Sequence, residues 1–119
     1  MSSLLVIIDK APYGHENALS GIYIAIASLD RGMDSDVLLM GDGVYAAQKN
    51  QSADETIGYP SVSELIYSLF PNGTLFVHLD SLTQRGMKYE DLVEIAELID
   101  GKTLYELSKS KKHIIKFKR

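Results

Sequence analysis

The fold of this chain is decided by the stretch Val37-Leu38-Leu39-Met40-Gly41-Asp42-Gly43-Val44-Tyr45. Four consecutive apolar residues that stop at a glycine are typical of a strand buried on both faces of a parallel sheet. Asp42 follows the strand, and ligands of open parallel sheets gather outside the carboxyl ends of the strands. The same aspartate could instead cap the helix after it, beside two glycines that only make the turn. The local pattern leaves a binding role and a capping role open.

Four other segments have strand composition. Leu4–Ile8 and Thr74–Leu79 are apolar runs like the first, and His113–Phe117 is rich in strand-forming residues. Val93–Glu97 alternates as a strand does, although Leu92–Ile99 also fits a helical face. Counting that segment as a strand, the chain has about five strands.

Helical segments separate these strands. The longest runs from His15 to Leu29, and Tyr23, Ile24 and Ala27 widen its apolar face, which predicts a helix covered on more than one side. Its far side would then lie deep in the domain or against another subunit. The other predictions are a short helix over Tyr45–Lys49, a loop over Asn50–Pro60, a helix opened by the Ser61–Glu64 capping box, an Asp80-capped turn over Ser81–Arg85 that Gly86 ends, and an Asp100-capped helix over Lys102–Ser110.

Alternation of strands and helices predicts an α/β fold. We expect a single domain over residues 1–119, with three layers: a mostly parallel sheet of about five strands flanked by helices. A chain of 119 residues is long enough to bury most of its apolar surface without disulfides.

Composition excludes several kinds of chemistry. The sequence contains no cysteine, which removes disulfides, thiolate metal sites and cysteine-based sulfur or acyl transfer by this chain alone. No apolar run has the length of a membrane span, and the N-terminus lacks a basic region of the secretory type. We therefore expect a cytoplasmic protein with no membrane contact.

Charge is distributed unevenly along the chain. The net charge is −4, yet the last eleven residues hold six basic side chains and no acid, so the rest carries −10. A basic tail can contact RNA phosphates or an acidic partner. It can also be a charged edge strand, in which lysines discourage unwanted pairing, and the composition of His113–Phe117 favours this second interpretation. Direct contact with RNA is not expected.

Familiar catalytic and nucleotide-binding motifs are absent, so candidate site residues are the polar side chains at predicted strand ends. These ligand candidates are Tyr13, His15, Glu16, Asp42, Tyr45, His78 and Asp80, with Asp9 and Ser81 beside them. Carboxylate and imidazole groups suit zinc or iron, but nothing in the sequence fixes the spacing of the two histidines, and we predict neither a metal nor a cofactor. His78 comes late in an apolar strand, where a histidine with a purely structural hydrogen bond is commoner than a ligand or base.

The order of short motifs along the chain resembles the DsrE/DsrF family. These motifs are Pro12-Tyr13-Gly14 with Glu16, Ala18, Leu19 and Gly21, then Gly41-Asp42-Gly43-Val44-Tyr45 and Gln51, then Asp80-Ser81-Leu82 with Arg85-Gly86. The resemblance covers nearly the whole chain and is closest to the DsrF or TusC branch. It implies a compact α/β sheet, assembly into dimers, trimers or hexamers, and a strand rather than a helix at Val93–Glu97.

The resemblance also implies a function. Catalytic DsrE or TusD members pass persulfide sulfur from a cysteine near the end of the third strand, and that position falls on or next to His78, which cannot carry a persulfide. The chain is thus similar to the non-catalytic, cysteine-free branch, and is not expected to be an enzyme on its own. It is predicted to be a structural subunit of a sulfur-relay complex of the DsrEFH or TusBCD type, which serves tRNA thiolation or sulfur oxidation.

Two hypotheses of function stay open at this stage. In the first, the chain assembles with a cysteine-bearing DsrE/TusD-like relative and with a DsrH/TusB-like subunit. In the second, it is a homo-oligomer that binds a small ligand, or performs an unrecognised reaction, through Tyr13, His15, Asp42 and His78.

Overall fold

A computed structural model describes residues 3–9, 17–48, 62–69 and 72–116 of the chain, and the side chains of all these except residues 17–19 and 62–64. Its strands are β1 (Ser3–Ile8), β2 (Asp34–Leu39), β3 (Leu75–His78), β4 (Ala96–Ile99) and β5 (His113–Lys116). Its α-helices are α1 (Asn17–Asp30), α2 (Val62–Tyr67), α3 (Leu79–Gln84) and α4 (Gly101–Ser110), and two 3-10 helices span Gly41–Ala47 and Tyr89–Asp91.

The strands form one sheet in the order β4-β3-β2-β1-β5, and every neighbouring pair is parallel. The two longest strands, β1 and β2, lie next to each other in the interior of the sheet, where Val6, Val37, Leu38 and Leu39 are completely buried. Burial on both faces explains why these strands read as unbroken apolar runs. The predicted α/β class with a five-stranded parallel sheet and flanking helices is confirmed.

Helices cover the two faces of the sheet unequally. Ile22 of α1, Ile66 of α2 and Leu82 of α3 pack into the larger hydrophobic cluster on one face. Leu104 and Leu107 of α4 pack against the smaller cluster on the other face. The chain therefore builds β1 to β4 in one direction with its helices on one face, then crosses the opposite face through α4 to place β5 beside β1. Right-handed crossovers that run toward β4 and one that runs back to β5 lie on opposite faces of the sheet, which explains this change of face.

Several predicted boundaries were wrong. A 3-10 helix over Gly41–Ala47 replaces the predicted Tyr45–Lys49 helix, because the chain turns immediately after β2. The strand predicted at Val93–Glu97 lies at Ala96–Ile99, and the alternative helix over Leu92–Ile99 is not formed.

The predicted cap at Asp80 was also wrong. The helix α3 begins at Leu79, directly after β3, so His78 occupies the N-cap position and Asp80 lies inside the first turn. No loop residue separates strand from helix, and a turn capped by Asp80 has no room to form.

The far side of α1 is not covered within the described part of the chain. Tyr23 is 48% exposed and Ala27 is exposed, whereas Ile22 and Ala25 are fully buried. The described residues thus do not cover this helix on more than one side, and the alternative that its far side meets another subunit stays a prediction. Tyr13, His15, Glu16, the 50–60 loop and Ser61 lie outside the described residues, and those predictions are untested.

The basic segment at the end of the chain forms β5, an edge strand as predicted. Two of its lysines are engaged in ion pairs: Lys111 with Asp36, whose other carboxylate oxygen accepts the Thr74 backbone N–H at 2.8 Å, and Lys116 with Asp9. Lys111 and Asp36 are both mostly buried, so this lysine ties the last crossover to β2. None of the helices that the structure describes is both long and apolar enough to cross a membrane.

The turn after β2 passes very close to the end of β1. A Cβ atom added to Gly43 would lie 2.1 Å from the Ile8 carbonyl oxygen, whereas real contacts of a Cβ atom are longer than 3.0 Å. The Met40 backbone N–H donates to the same oxygen at 3.0 Å, which fixes the turn against the strand. Only glycine fits at position 43, because the obstacle is backbone that cannot move without breaking the sheet.

We expect Gly43→Ala to lower the free energy of unfolding by about 2 kcal/mol or more, since the added methyl group overpacks against the Ile8 carbonyl. Gly101→Ala is the matched control, because a Cβ atom there meets nothing within 4 Å. That control should be neutral or stabilising by up to about 1 kcal/mol. Urea unfolding of both variants measures the effect, and equal stabilities would contradict the close approach.

Asp100 caps α4 as the sequence predicted, and its carboxylate accepts the Thr103 backbone N–H at 2.8 Å. This hydrogen bond lowers the pKa of Asp100 below its ordinary value of 3.8. A lowered pKa in the folded state means that the cap contributes stability above the unfolded pKa and loses it as the pH falls through the folded value.

Asp100→Ala should therefore lower Tm at neutral pH, and the difference from wild type should shrink as the pH falls below 3.8. Asp100→Asn is the control, because an amide oxygen still accepts the Thr103 N–H but does not titrate. Thermal unfolding followed by circular dichroism between neutral and acidic pH gives the result. A Tm for Asp100→Ala equal to that of wild type at neutral pH would rule the cap out.

Candidate functional site

The predicted polar residues that the structure describes gather at one edge of the sheet. Asp9 follows β1, Asp42 follows β2, and His78 ends β3, so all three lie at the carboxyl ends of neighbouring parallel strands. Gly41, Ser81 and Arg85 contact this group. These six residues, Asp9, Gly41, Asp42, His78, Ser81 and Arg85, are named the carboxyl rim below.

Connectivity of the sheet opens a crevice at this rim. The segment after β3 leads into α3, whose Leu82 packs on the larger face, whereas the segment after β4 leads into α4 on the opposite face. Adjacent strands whose connections leave to opposite faces form a topological switch point, the usual ligand position in open α/β sheets. His78 stands at this point, paired in register with Ile99 of β4.

Ser81 is the residue that joins the rim together. Its Oγ accepts the Gly41 backbone N–H at 2.9 Å and lies 2.8 Å from Nδ1 of His78. Ser81 is buried, with 6% of its surface exposed, so these bonds form away from bulk water. They link the end of β3 to the turn after β2 across a separation of 40 residues in sequence. His78 is thus hydrogen-bonded through Nδ1, and its other ring nitrogen, Nε2, lies outside this network. That the histidine has a purely structural role stays a prediction.

Arg85 binds the rim from the end of α3. Its Nε atom donates to Asp42 Oδ1 at 3.0 Å, its NH2 group lies 3.0 Å from the same oxygen, and its NH1 group donates to the Ser81 carbonyl at 3.0 Å. Asp42 therefore forms an ion pair and does not cap the following helix, which has Met40 at its N-cap position and no capping side chain. The capping interpretation of Asp42 was wrong because the Gly41 turn directs the carboxylate toward α3.

Apolar residues flank His78 in sequence. Phe76, two residues earlier on the same face of β3, is half-buried, and Leu79, directly after His78, is 39% exposed. Asp80 is exposed in the first turn of α3, and Tyr45 is half-buried in the 3-10 helix after Asp42. The described rim thus combines a histidine, an ion pair and exposed apolar surface.

Arg85 was not among the site residues that the sequence predicted. Ser81 was predicted at the strand end, but no role was assigned to it. A usable signal was present in the sequence. Ser81 and Arg85 are four residues apart, which brings both to one side of a helix that starts near residue 79. Recognising this required knowing that α3 begins at Leu79 and not after an Asp80 cap.

No cluster of metal ligands is found at the described part of the rim. Among the side chains that the structure describes, no three or more His, Asp or Glu residues lie close enough together to hold a metal ion. Away from the rim, the Tyr67 hydroxyl donates to Glu94, and this hydrogen bond raises the pKa of Tyr67. The rim residues interact through the hydrogen bonds and the ion pair described above.

A five-stranded parallel α/β sheet, with polar side chains at the switch point between β3 and β4, defines the structural class of the protein. Comparison with known proteins names it more closely. The model of the DsrE/DsrF-like family matches residues 2–117, and the chain belongs to this family. The resemblance read from the sequence motifs is confirmed.

Individual relatives cover most of the chain. An uncharacterised protein of Methanocaldococcus jannaschii is 34% identical over 94% of this chain and 96% of its own length. The intracellular sulfur oxidation protein DsrF of Allochromatium vinosum is 34% identical over 73% of this chain and 65% of its own. A TusC homolog of Vibrio vulnificus is 26% identical over 98% and 100%. The crystal structure of the YchN protein of E. coli has the same fold, with a TM-score of 0.88 and 22% identity over 98% of this chain and 100% of that one.

Loss of Arg85 and loss of Asp42 should lower the free energy of unfolding by different amounts. Asp42 is 61% exposed in its side chain and Arg85 is 23% exposed, so the pair contributes about 0.2–1 kcal/mol as a surface ion pair. Arg85→Ala should cost more than Asp42→Ala, because it also removes the donor to the Ser81 carbonyl.

A double-mutant cycle of these two variants, read by urea unfolding, measures the coupling. We expect a positive coupling within that range. A cost of Asp42→Ala that is unchanged in the Arg85→Ala background would mean that Asp42 acts through another partner.

Proposed function

We propose that this protein is a non-catalytic subunit of a sulfur-relay complex, in which a cysteine-bearing relative carries the persulfide. The observation that carries the proposal is family membership combined with the absence of cysteine from the sequence. A persulfide forms on a cysteine thiolate, and no other side chain offers that chemistry. A member of a family that includes DsrF and a TusC homolog, and that has no cysteine of its own, would serve the sulfur of another chain.

The partner in this proposal is a DsrE/TusD-like relative, joined by a DsrH/TusB-like subunit. Exposed apolar side chains on this chain support an assembly: Tyr23 on α1 and Leu79 at the carboxyl rim are 48% and 39% exposed. Such side chains, when they cluster, mark surfaces that other subunits cover. The proposal places a subunit contact at the carboxyl rim, because His78 and Leu79 lie there together.

The proposed setting is the cytoplasm, where reducing conditions keep the thiols of a relay available. The complex would serve either tRNA thiolation or sulfur oxidation. Sulfur oxidation is the process in the name of the Allochromatium relative. Either pathway is consistent with a subunit that does not hold the sulfur covalently.

A second candidate function is binding of a small ligand by a homo-oligomer of this chain. The observation that favours it is the bonded set of Gly41, Ser81 and His78 at a topological switch point, a position that holds ligands in many α/β proteins. Tyr13 and His15, which belonged to the same candidate site in the sequence, lie outside the described residues.

The proposal is tested by capture of the tagged full chain from an extract of its source, followed by native mass measurement. We expect a small cysteine-bearing relative to co-purify in fixed ratio. Leu79→Glu should reduce its capture about tenfold or more, because a charge would be buried in the contact. Tyr105→Glu is the matched control, since Tyr105 is 64% exposed on α4, away from the carboxyl rim.

A homo-oligomer that captures no other chain would contradict the relay proposal and favour the ligand-binding alternative. Equal loss of capture in both variants would place the contact elsewhere than the carboxyl rim.

A further inference from the structure

We propose that His78 holds its proton on Nε2 and donates that N–H to the reacting sulfur anion of the partner subunit. This inference rests on the proposed function and adds to it a named group and a named chemical role. The ring of His78 is anchored through Nδ1 at the switch point of the sheet.

The hydrogen bonds of Ser81 decide where the proton lies. Its Oγ already accepts the Gly41 N–H, and its own hydroxyl proton needs an acceptor because the residue is buried. Nδ1 of His78, at 2.8 Å, is the acceptor that the described residues offer. A neutral imidazole that accepts at Nδ1 carries its proton at Nε2. The ring therefore points a donor away from Ser81.

Two cationic side chains at the carboxyl end of the sheet are already paired with carboxylates. Arg85 is paired with Asp42, and Lys116, which lies at the same edge of the sheet, is 3.5 Å from Asp9. Asp80, exposed on α3, is the further acid beside His78. Arg85 and Lys116 are thus occupied by carboxylates, and the N–H of His78 is the donor that the Ser81 network leaves over.

Apolar neighbours point to a protein-borne anion and not to a free one. Phe76 is half-buried and Leu79 is 39% exposed on either side of His78 in sequence. A small free anion gains nothing from such neighbours, whereas a subunit that covers them excludes water around the hydrogen bond. Hydrogen bonds to charged groups are stronger than neutral ones, and exclusion of water strengthens them further.

The chemical step gives this donor a use. The terminal sulfur of the partner's persulfide moves to an acceptor thiolate: a new S–S bond forms, the S–S bond to the partner's cysteine breaks, and its electron pair stays on the cysteine sulfur. No oxidant or reductant is consumed. Negative charge collects on that leaving sulfur, and a hydrogen bond from Nε2 of His78 stabilises it without giving up the proton.

The first arm of the test reads the proton position in the full chain. Nitrogen NMR of the protein labelled in its histidines, with His78→Gln used to assign the His78 signals, should show Nδ1 without a proton and Nε2 with one when the ring is neutral. Ser81→Ala should shift the ring toward a mixture of tautomers. A proton on Nδ1 in wild type would overturn the inference, whatever the protein's function.

The second arm uses the complex with the captured partner, loaded with persulfide, and a small thiol as acceptor. His78→Phe should slow transfer about tenfold or more, with the rate expressed per molecule of captured partner because His78 lies at the proposed contact. His78→Gln, which retains an N–H donor, should restore part of the rate. His113→Phe on the exposed edge strand β5 is the matched control and should transfer at the wild-type rate.

The outcomes separate this inference from the proposed function. Capture of the partner with an unchanged transfer rate in His78→Phe would overturn the role of His78 and leave the relay proposal standing. Failure to capture any cysteine-bearing chain would overturn both.

Discussion

The structure depends on the close contact between the end of β1 and the turn that follows β2. The Ile8 carbonyl accepts the Met40 N–H and lies where a side chain at residue 43 would have to begin. A glycine at position 43 lets the backbone cross the end of the sheet at this distance. Because the crossing is so tight, the Gly41 N–H is directed toward α3 and Asp42 lies within reach of Arg85.

From that contact the carboxyl rim follows in steps. The abrupt start of α3 after β3 places Ser81 one turn after His78, and Ser81 then bonds both to His78 and to the turn after β2. Arg85, one turn further, binds Asp42 and the Ser81 carbonyl together. The buried hydrogen bonds of Ser81 stabilise this arrangement more than the Asp42–Arg85 pair does, since Asp42 is 61% exposed. A site of this kind orients groups and has no nucleophilic sulfur of its own.

The two ends of the sheet differ in how deeply their charged side chains are buried. At the amino end, the mostly buried Asp36–Lys111 pair and the bond to the Thr74 N–H fix β2 to the last crossover. At the carboxyl end, charges are more exposed and apolar side chains such as Leu79 face solvent. Membership of the DsrE/DsrF-like family gives this second end its proposed use as the surface that meets a cysteine-bearing subunit.

Sequence by itself determined the α/β class, the buried strands β1 and β2, the Asp100 cap and the edge position of β5, because apolar runs, capping residues and lysine-rich ends are local signals. It also showed that the given sequence has no cysteine, the residue on which a persulfide forms. Only the tertiary structure decided that Asp42 pairs with Arg85 and that Ser81 accepts the Gly41 N–H. Their partners lie 43 and 40 residues away, and no local pattern encodes a contact that depends on the register of neighbouring strands and on the start of α3.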